Sequence, residues 1–161
     1  MTTAPASATP TAPTVRTADP TSPGCAALLD ASHALMRALF NPEENHFLSH
    51  EALRAPDIRF FAAGPEAAPL GVAALQIKDG YGEVKSFFVS PEARGMGIGA
   101  ALVARVEEEA QANGLTLLRL ETADKLDAAC RLYERHGFVR RGAFGDYPDN
   151  GVSVFMEKRL A

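Results

Sequence analysis

Val84–Gly99 reads VKSFFVSPEARGMGIG. An apolar, β-rich run stops at Ser90-Pro91, and three glycines follow at Gly95, Gly97 and Gly99. A proline-free, helix-forming segment then runs to Asn113-Gly114. Strand, glycine turn and helix together predict an anion site made of backbone. The first N–H groups of a helix lack an internal acceptor, and the macrodipole adds roughly half a positive charge there. Glycines let a phosphate reach the main chain without meeting a Cβ.

Spacing narrows the ligand. A P-loop requires G-x-x-x-x-G-K-[ST], and the chain contains no Gly-Lys pair. A dinucleotide fingerprint comes closer: Glu121 ends the next predicted strand, near where a ribose contact belongs. Yet the glycines run G-x-G-x-G-A, and Ser90–Arg94 separates them from the strand, where a dinucleotide turn is tight. A nicotinamide-binding oxidoreductase is therefore the weaker alternative. The pattern that fits is [Q/R]-x-x-G-x-[G/A], met by Arg94, Gly97 and Gly99. A second motif is Ala129-Cys130-Arg131-Leu132-Tyr133-Glu134-Arg135-His136-Gly137-Phe138.

These two motifs, in this order, closely resemble the pyrophosphate loop and the A-x-x-L-Y-E-x-x-G-F helix ending of the GNAT superfamily, the acyl-CoA-dependent N-acyltransferases. The resemblance runs from about Val15 to Leu160. It departs at Leu126, where many members carry an amide side chain. It implies a mixed α/β fold with a mostly antiparallel sheet, flanking helices and splayed fourth and fifth strands. It also implies acetyl-CoA as co-substrate, no metal, and a primary amine as acceptor. An acyl-CoA-binding sensor without chemistry is the other alternative.

Residue roles follow from the resemblance. The amides of Arg94, Gly95, Met96, Gly97, Ile98, Gly99 and Ala100 would cradle the coenzyme A diphosphate. Phe88 and Val89 would line the pantetheine arm, near a bulge, with the Val89 N–H on the thioester carbonyl. Glu83 matches the position of a catalytic glutamate in some members and would take the amine's proton. Strand parity sets Glu83, Lys85, Phe87 and Val89 on one face. Tyr133 would protonate the departing thiolate. Asn45, His46 and Phe47, with Asp146 and Tyr147, would line the acceptor site.

The remaining chain fits one domain from residue 14 to 161. Residues 1–13, MTTAPASATPTAP, hold too little apolar surface to offset ordering and read as a disordered tail without a secretory signal. Strands are expected at 14–18, 58–63, 70–78, 81–89, 115–122, 138–141 and 152–158. Helices are expected at 23–40, briefly at 49–54, after the glycines, and at 126–136. The formal charge of −4 argues against nucleic acid, and no apolar run approaches a membrane span. Cys25 and Cys130 match no metal spacing and read as reduced, buried thiols of a cytoplasmic protein. His46 and His50, four apart, form a possible metal pair that lacks an evident third ligand. Exposed strand edges make a homodimer reasonable.

Overall fold

The computed structural model describes residues 13–160, so residues 1–12 of the expected tail lie outside it. Among the described residues, seven strands form one sheet in the order β1-β2-β3-β4-β5-β7-β6. They are β1 (Val15–Thr17), β2 (Ile58–Ala63), β3 (Gly71–Ile77), β4 (Gly82–Val89), β5 (Leu117–Ala123), β6 (Val139–Arg141) and β7 (Ser153–Arg159). All neighbours are antiparallel except β4 and β5. A single parallel pair does not make a doubly wound dinucleotide fold, so the nicotinamide alternative falls.

Three helices cover the sheet: α1 (Pro23–Leu39), α2 (Ile98–Ala112) and α3 (Asp127–Arg135). Pro23 starts α1 at its first turn, where a missing N–H costs nothing, and Pro42 follows its end. The short helix expected at 49–54 is a 3-10 turn over Ala52–Arg54. One core layer joins α2 and α3 to Phe61, Ala73, Leu75, Val84 and Leu120. The other packs Cys25 and Leu29 of α1 on Phe60, Ala62, Val72 and Ala74. Adjacent β2 residues thus enter opposite layers, as the pleat requires.

Two irregularities in β4 shape everything downstream. Lys85 pairs with Ala74 and Phe88 with Val72, so Ser86 and Phe87 together oppose Ala73. Ser86 has φ +51°, making it the sole non-glycine residue with positive φ among those described. This is a β-bulge, and it reverses the side-chain alternation. Val84 joins the α2 layer, and Phe87 and Val89 pack on that same layer, while Phe88 packs on the α1 layer. Glu83 and Lys85 therefore lie on the opposite face from Phe87 and Val89, and the single face expected from parity is corrected. The second irregularity is divergence. β4 and β5 pair at Gly82↔Leu118, Glu83↔Arg119 and Val84↔Leu120, and then part.

Candidate active site

The glycine loop follows β4 through a 3-10 turn at Pro91–Ala93 and leads into α2. Gly95 and Gly97 have φ of +81° and +79°, and a Cβ on either would meet nothing within 4 Å. They are glycines for the backbone's sake, with open space above them. Gly97 caps α2, no side chain closes the cap, and the first return bond is Ala101 N–H to Gly97 O at 3.1 Å. The amides of Ile98, Gly99 and Ala100 thus have no acceptor inside the helix. The Arg94 and Met96 N–H groups are already bonded, to Pro91 O at 3.4 Å and Ala93 O at 3.2 Å. Arg94 offers instead an exposed guanidinium, and Met96 an exposed side chain. Gly99 differs from its neighbours: a Cβ there would sit 2.8 Å from Leu132 Cδ2. It is small so that α2 can rest on α3.

Between loop and sheet interior lies the gap left by the parting strands. Ser90 N–H donates to Leu70 O at 2.8 Å, and Gly71 pairs with Val89. In an antiparallel ladder that combination makes Gly71 and Val89 a non-hydrogen-bonded pair. The Val89 N–H therefore points away from β3, toward the gap. Tyr133 packs edge-on against Phe87 at 5.4 Å and against Phe138 at 5.6 Å. Its hydroxyl has no partner among the described residues, and burial pushes its pKa far above the ordinary phenol range. Cys130 is buried, donates to Ala123 O at 3.4 Å, and is raised by the same desolvation. A protonated thiol turned into the fold is not a nucleophile.

A cleft of about 140 Å³ continues from the gap toward α1. Its walls come from α1, the connector at 44–47, β4, β5, α3 and Tyr147. Glu83, 3% exposed, accepts hydrogen bonds on Oε2 from the Tyr147 hydroxyl and from Lys85 Nζ, the latter at 3.1 Å. Lys85 Nζ also donates to the Tyr147 oxygen at 2.7 Å. Burial, then the bond to Glu83, holds Tyr147 well above the usual phenol range. Opposite stands Glu121, whose Oε2 accepts from Ser153 Oγ at 2.7 Å and lies 3.5 Å from His46 Nε2. Desolvation raises the Glu121 pKa, against the Ser153 hydrogen bond and the attraction of His46 and Lys85. His46 stacks edge-on to Tyr147 at 5.3 Å, and its buried Nε2 has no hydrogen-bond partner among the described residues.

Of the residues proposed from sequence, Glu83, Tyr133, Asn45, His46, Phe47 and Tyr147 line this one cleft. Asp146 does not; it is exposed beside Gly145 (φ +59°), in the turn that sends Tyr147 inward onto Phe144 and Phe155. Phe88 packs on the α1 layer. Leu126 lines the cleft where an amide was absent. Glu121, Lys85 and Ser153 were missed as site residues. Glu121 had carried a signal: a carboxylate directly after the largely apolar Leu117–Leu120 stretch is costly there without a purpose.

Residues 26–138 match the family described as Acetyltransferase (GNAT) family. This chain belongs to the GNAT family. A relative from Azospirillum brasilense, named IAA acetyltransferase, is 45% identical over 76% of this chain and 81% of its own length. The crystal structure of a Klebsiella pneumoniae protein assigned to the acyl-CoA N-acyltransferases superposes with a TM-score of 0.77 at 30% identity, covering 92% of this chain and 98% of that one. PaiA N-acetyltransferase from Thermoplasma acidophilum, solved in complex with coenzyme A, shares the fold at a TM-score of 0.70 and 16% identity over 92% of this chain and 99% of that one. This GNAT protein is accordingly an N-acetyltransferase, and the family's acyl donor is acetyl-CoA. No helix among the described residues is long and apolar enough to cross a membrane.

Proposed function

We propose that this GNAT enzyme acetylates a primary amine by direct attack on acetyl-CoA within a ternary complex, using Glu83 and Tyr133 to move protons. The observation that carries the reading is the divergence of β4 and β5 beyond Val84 and Leu120, with the Val89 N–H turned into the opening. Pantetheine amides would pair with the freed strand edges, as a peptide does when it adds to a sheet. The diphosphate would meet Gly95, Gly97 and the first amides of α2, with Arg94 adding charge. The thioester oxygen would then lie at Val89, whose fixed donor gains strength as that oxygen becomes anionic.

The acceptor would enter from the cleft as an ammonium ion, drawn by Glu83 and Glu121. It must lose a proton before it can attack, because an alkylamine near pH 7 is mostly protonated. Glu83 keeps Oε1 free of partners among the described residues, so it can take that proton directly or through a water. As the tetrahedral intermediate collapses, the carbon–sulfur bond breaks, the thiolate takes the Tyr133 proton, and the second proton leaving the nitrogen restores the phenol through solvent. Burial keeps the phenol protonated but also makes it a weaker acid than a free phenol, so the role rests on the place of Tyr133 beside the gap. Cys130 faces the wrong way for a covalent acyl-enzyme, which favours direct transfer.

One observation favours a second assignment of the base. Glu121 has the raised carboxyl, and a base closer in pKa to working pH is the better proton acceptor. Glu83→Gln and Glu121→Gln should be compared by kcat against pH, with a panel of primary amines and free thiol release as the readout. Loss of the acidic limb in Glu83→Gln alone supports Glu83, and loss in Glu121→Gln alone transfers the role. Absence of thiol release with every amine would overturn the catalytic reading in favour of a sensor.

A further inference from the structure

The sequence pairs His50 with His46, but the fold separates them. His46 turns to Glu121 and Tyr147, whereas His50 turns to α1. His50 Nε2 lies 3.0 Å from Asp30 Oδ1, and its ring is 5.7 Å from that of His33. One ligand atom each from Asp30, His33 and His50 fall within 4.8 Å of one another. Asp30 and His33 are one helical turn apart on α1, so they share a face. His33 is 6% exposed, and its Nε2 is buried without a hydrogen-bond partner among the described residues. A buried imidazole nitrogen left unsatisfied is costly in a core, and neither the acetyl-transfer chemistry nor the packing of α1 uses it.

We propose that Asp30, His33 and His50 bind one divalent transition-metal ion, Zn(II) by preference. Two imidazoles and a carboxylate are the donor set that Zn(II), Co(II) and Ni(II) share, and the softer thiolates of Cys25 and Cys130 are elsewhere. In a tetrahedral site with bonds of about 2.0–2.1 Å, donor atoms stand roughly 3.3 Å apart. The Asp30–His50 separation already meets this. The remaining closure falls to Asp30, which is 71% exposed on the helix surface, and to the loop carrying His50. With three protein donors, a fourth position stays open to water.

The ion would tie α1 to the connector that follows it. Phe47 lies face to face with His33 at 4.1 Å and also lines the acceptor cleft. Metal occupancy would thereby hold one wall of that cleft, far from the glycine loop.

The test uses the full, untagged chain stripped with chelator and titrated with Co(II), followed by visible absorption. One equivalent should give the ligand-field band of a four- or five-coordinate nitrogen and oxygen site, and Zn(II) should displace it. Asp30→Asn and His50→Gln, both at accessible positions, should each weaken binding at least roughly tenfold. His33→Gln should do the same, with circular dichroism to check folding. Absence of the band up to millimolar Co(II) would overturn the assignment. So would unchanged affinity in both accessible variants, or a thiolate charge-transfer band, which would move the ion to a cysteine.

Discussion

The two ends of the active-site gap are built on different principles. At one end, Gly95, Gly97 and the first turn of α2 present main chain to an open surface, with no side chain crossing it. At the other, Glu83, Lys85, Glu121, His46, Tyr147 and Ser153 present side chains from β4, β5, β7 and two loops. The first end suits a ligand part that every acyl-CoA enzyme must hold. The second can be rewritten one side chain at a time without touching the first. On the proposed reading, donor recognition is locked into backbone geometry, while acceptor choice is left to substitutable groups.

The largest expected effect tests the backbone end. Gly97→Glu should weaken coenzyme A at least roughly a hundredfold by calorimetry, since a carboxylate would stand where a diphosphate must approach. The chain should stay folded, because the added atoms enter open space and the left-handed backbone there costs about 1–2 kcal/mol. Retained affinity would break the comparison at its stronger end. Next, Tyr133→Phe should lower kcat roughly tenfold to a hundredfold while leaving acetyl-CoA affinity within about twofold. Unchanged turnover would leave Tyr133 a packing residue between Phe87 and Phe138.

Smaller effects probe the bulge and the charged end. Ser86→Gly should stabilise the fold by up to about 1 kcal/mol in urea unfolding, because it removes the penalty of φ +51°. Ser86→Val should cost a similar amount and lower activity by disturbing where Val89 points. Equal stability in the two variants would mean that the bulge sits elsewhere in solution. Glu121→Gln should flatten the dependence of melting temperature on pH. The Glu121 carboxyl lies above its ordinary 4.5 in the folded protein because burial penalises its charge. Its contribution is therefore fully favourable below 4.5 and is lost as pH rises through the raised folded value. A melting curve whose pH slope in that window survives the substitution would remove Glu121 as its source.

How much was legible follows the same divide. Val84–Gly99 and the helix ending at Gly137-Phe138 announced the fold, because strand, turn and helix cues sit within one short stretch. Boundaries at Pro23, Pro42 and Gly114 were readable from capping chemistry, whereas α2 begins at Ile98, within the glycine run rather than after it. Parity along β4 was misread because a serine gives no local sign of a left-handed backbone, and one bulged residue reverses all later side chains. The charged cleft was half legible. Glu83, His46 and Tyr147 were reached through the resemblance, but their meeting with Lys85, Glu121 and Ser153 depends on contacts between segments as far apart in sequence as His46 and Glu121. Asp146 and Tyr147 are neighbours in sequence, and a single turn separates their environments. His33 gave no signal, since a histidine on the apolar side of a helix looks like ordinary packing until its nitrogen is seen to lack a partner.

The seat of Gly99 on Leu132 links two tasks that chemistry keeps apart. Leu132 precedes Tyr133 directly, so the helix that would grip the nucleotide leans on the helix that carries the proposed acid. On the proposed reading, the helix pair would act as a caliper whose opening sets the reach from diphosphate to sulfur. A methyl group at Gly99 would meet only the tip of the Leu132 side chain, which can turn aside, but a bulkier residue there would press the jaws apart, and the donor would be held while its acyl carbon drifted out of register with the amine.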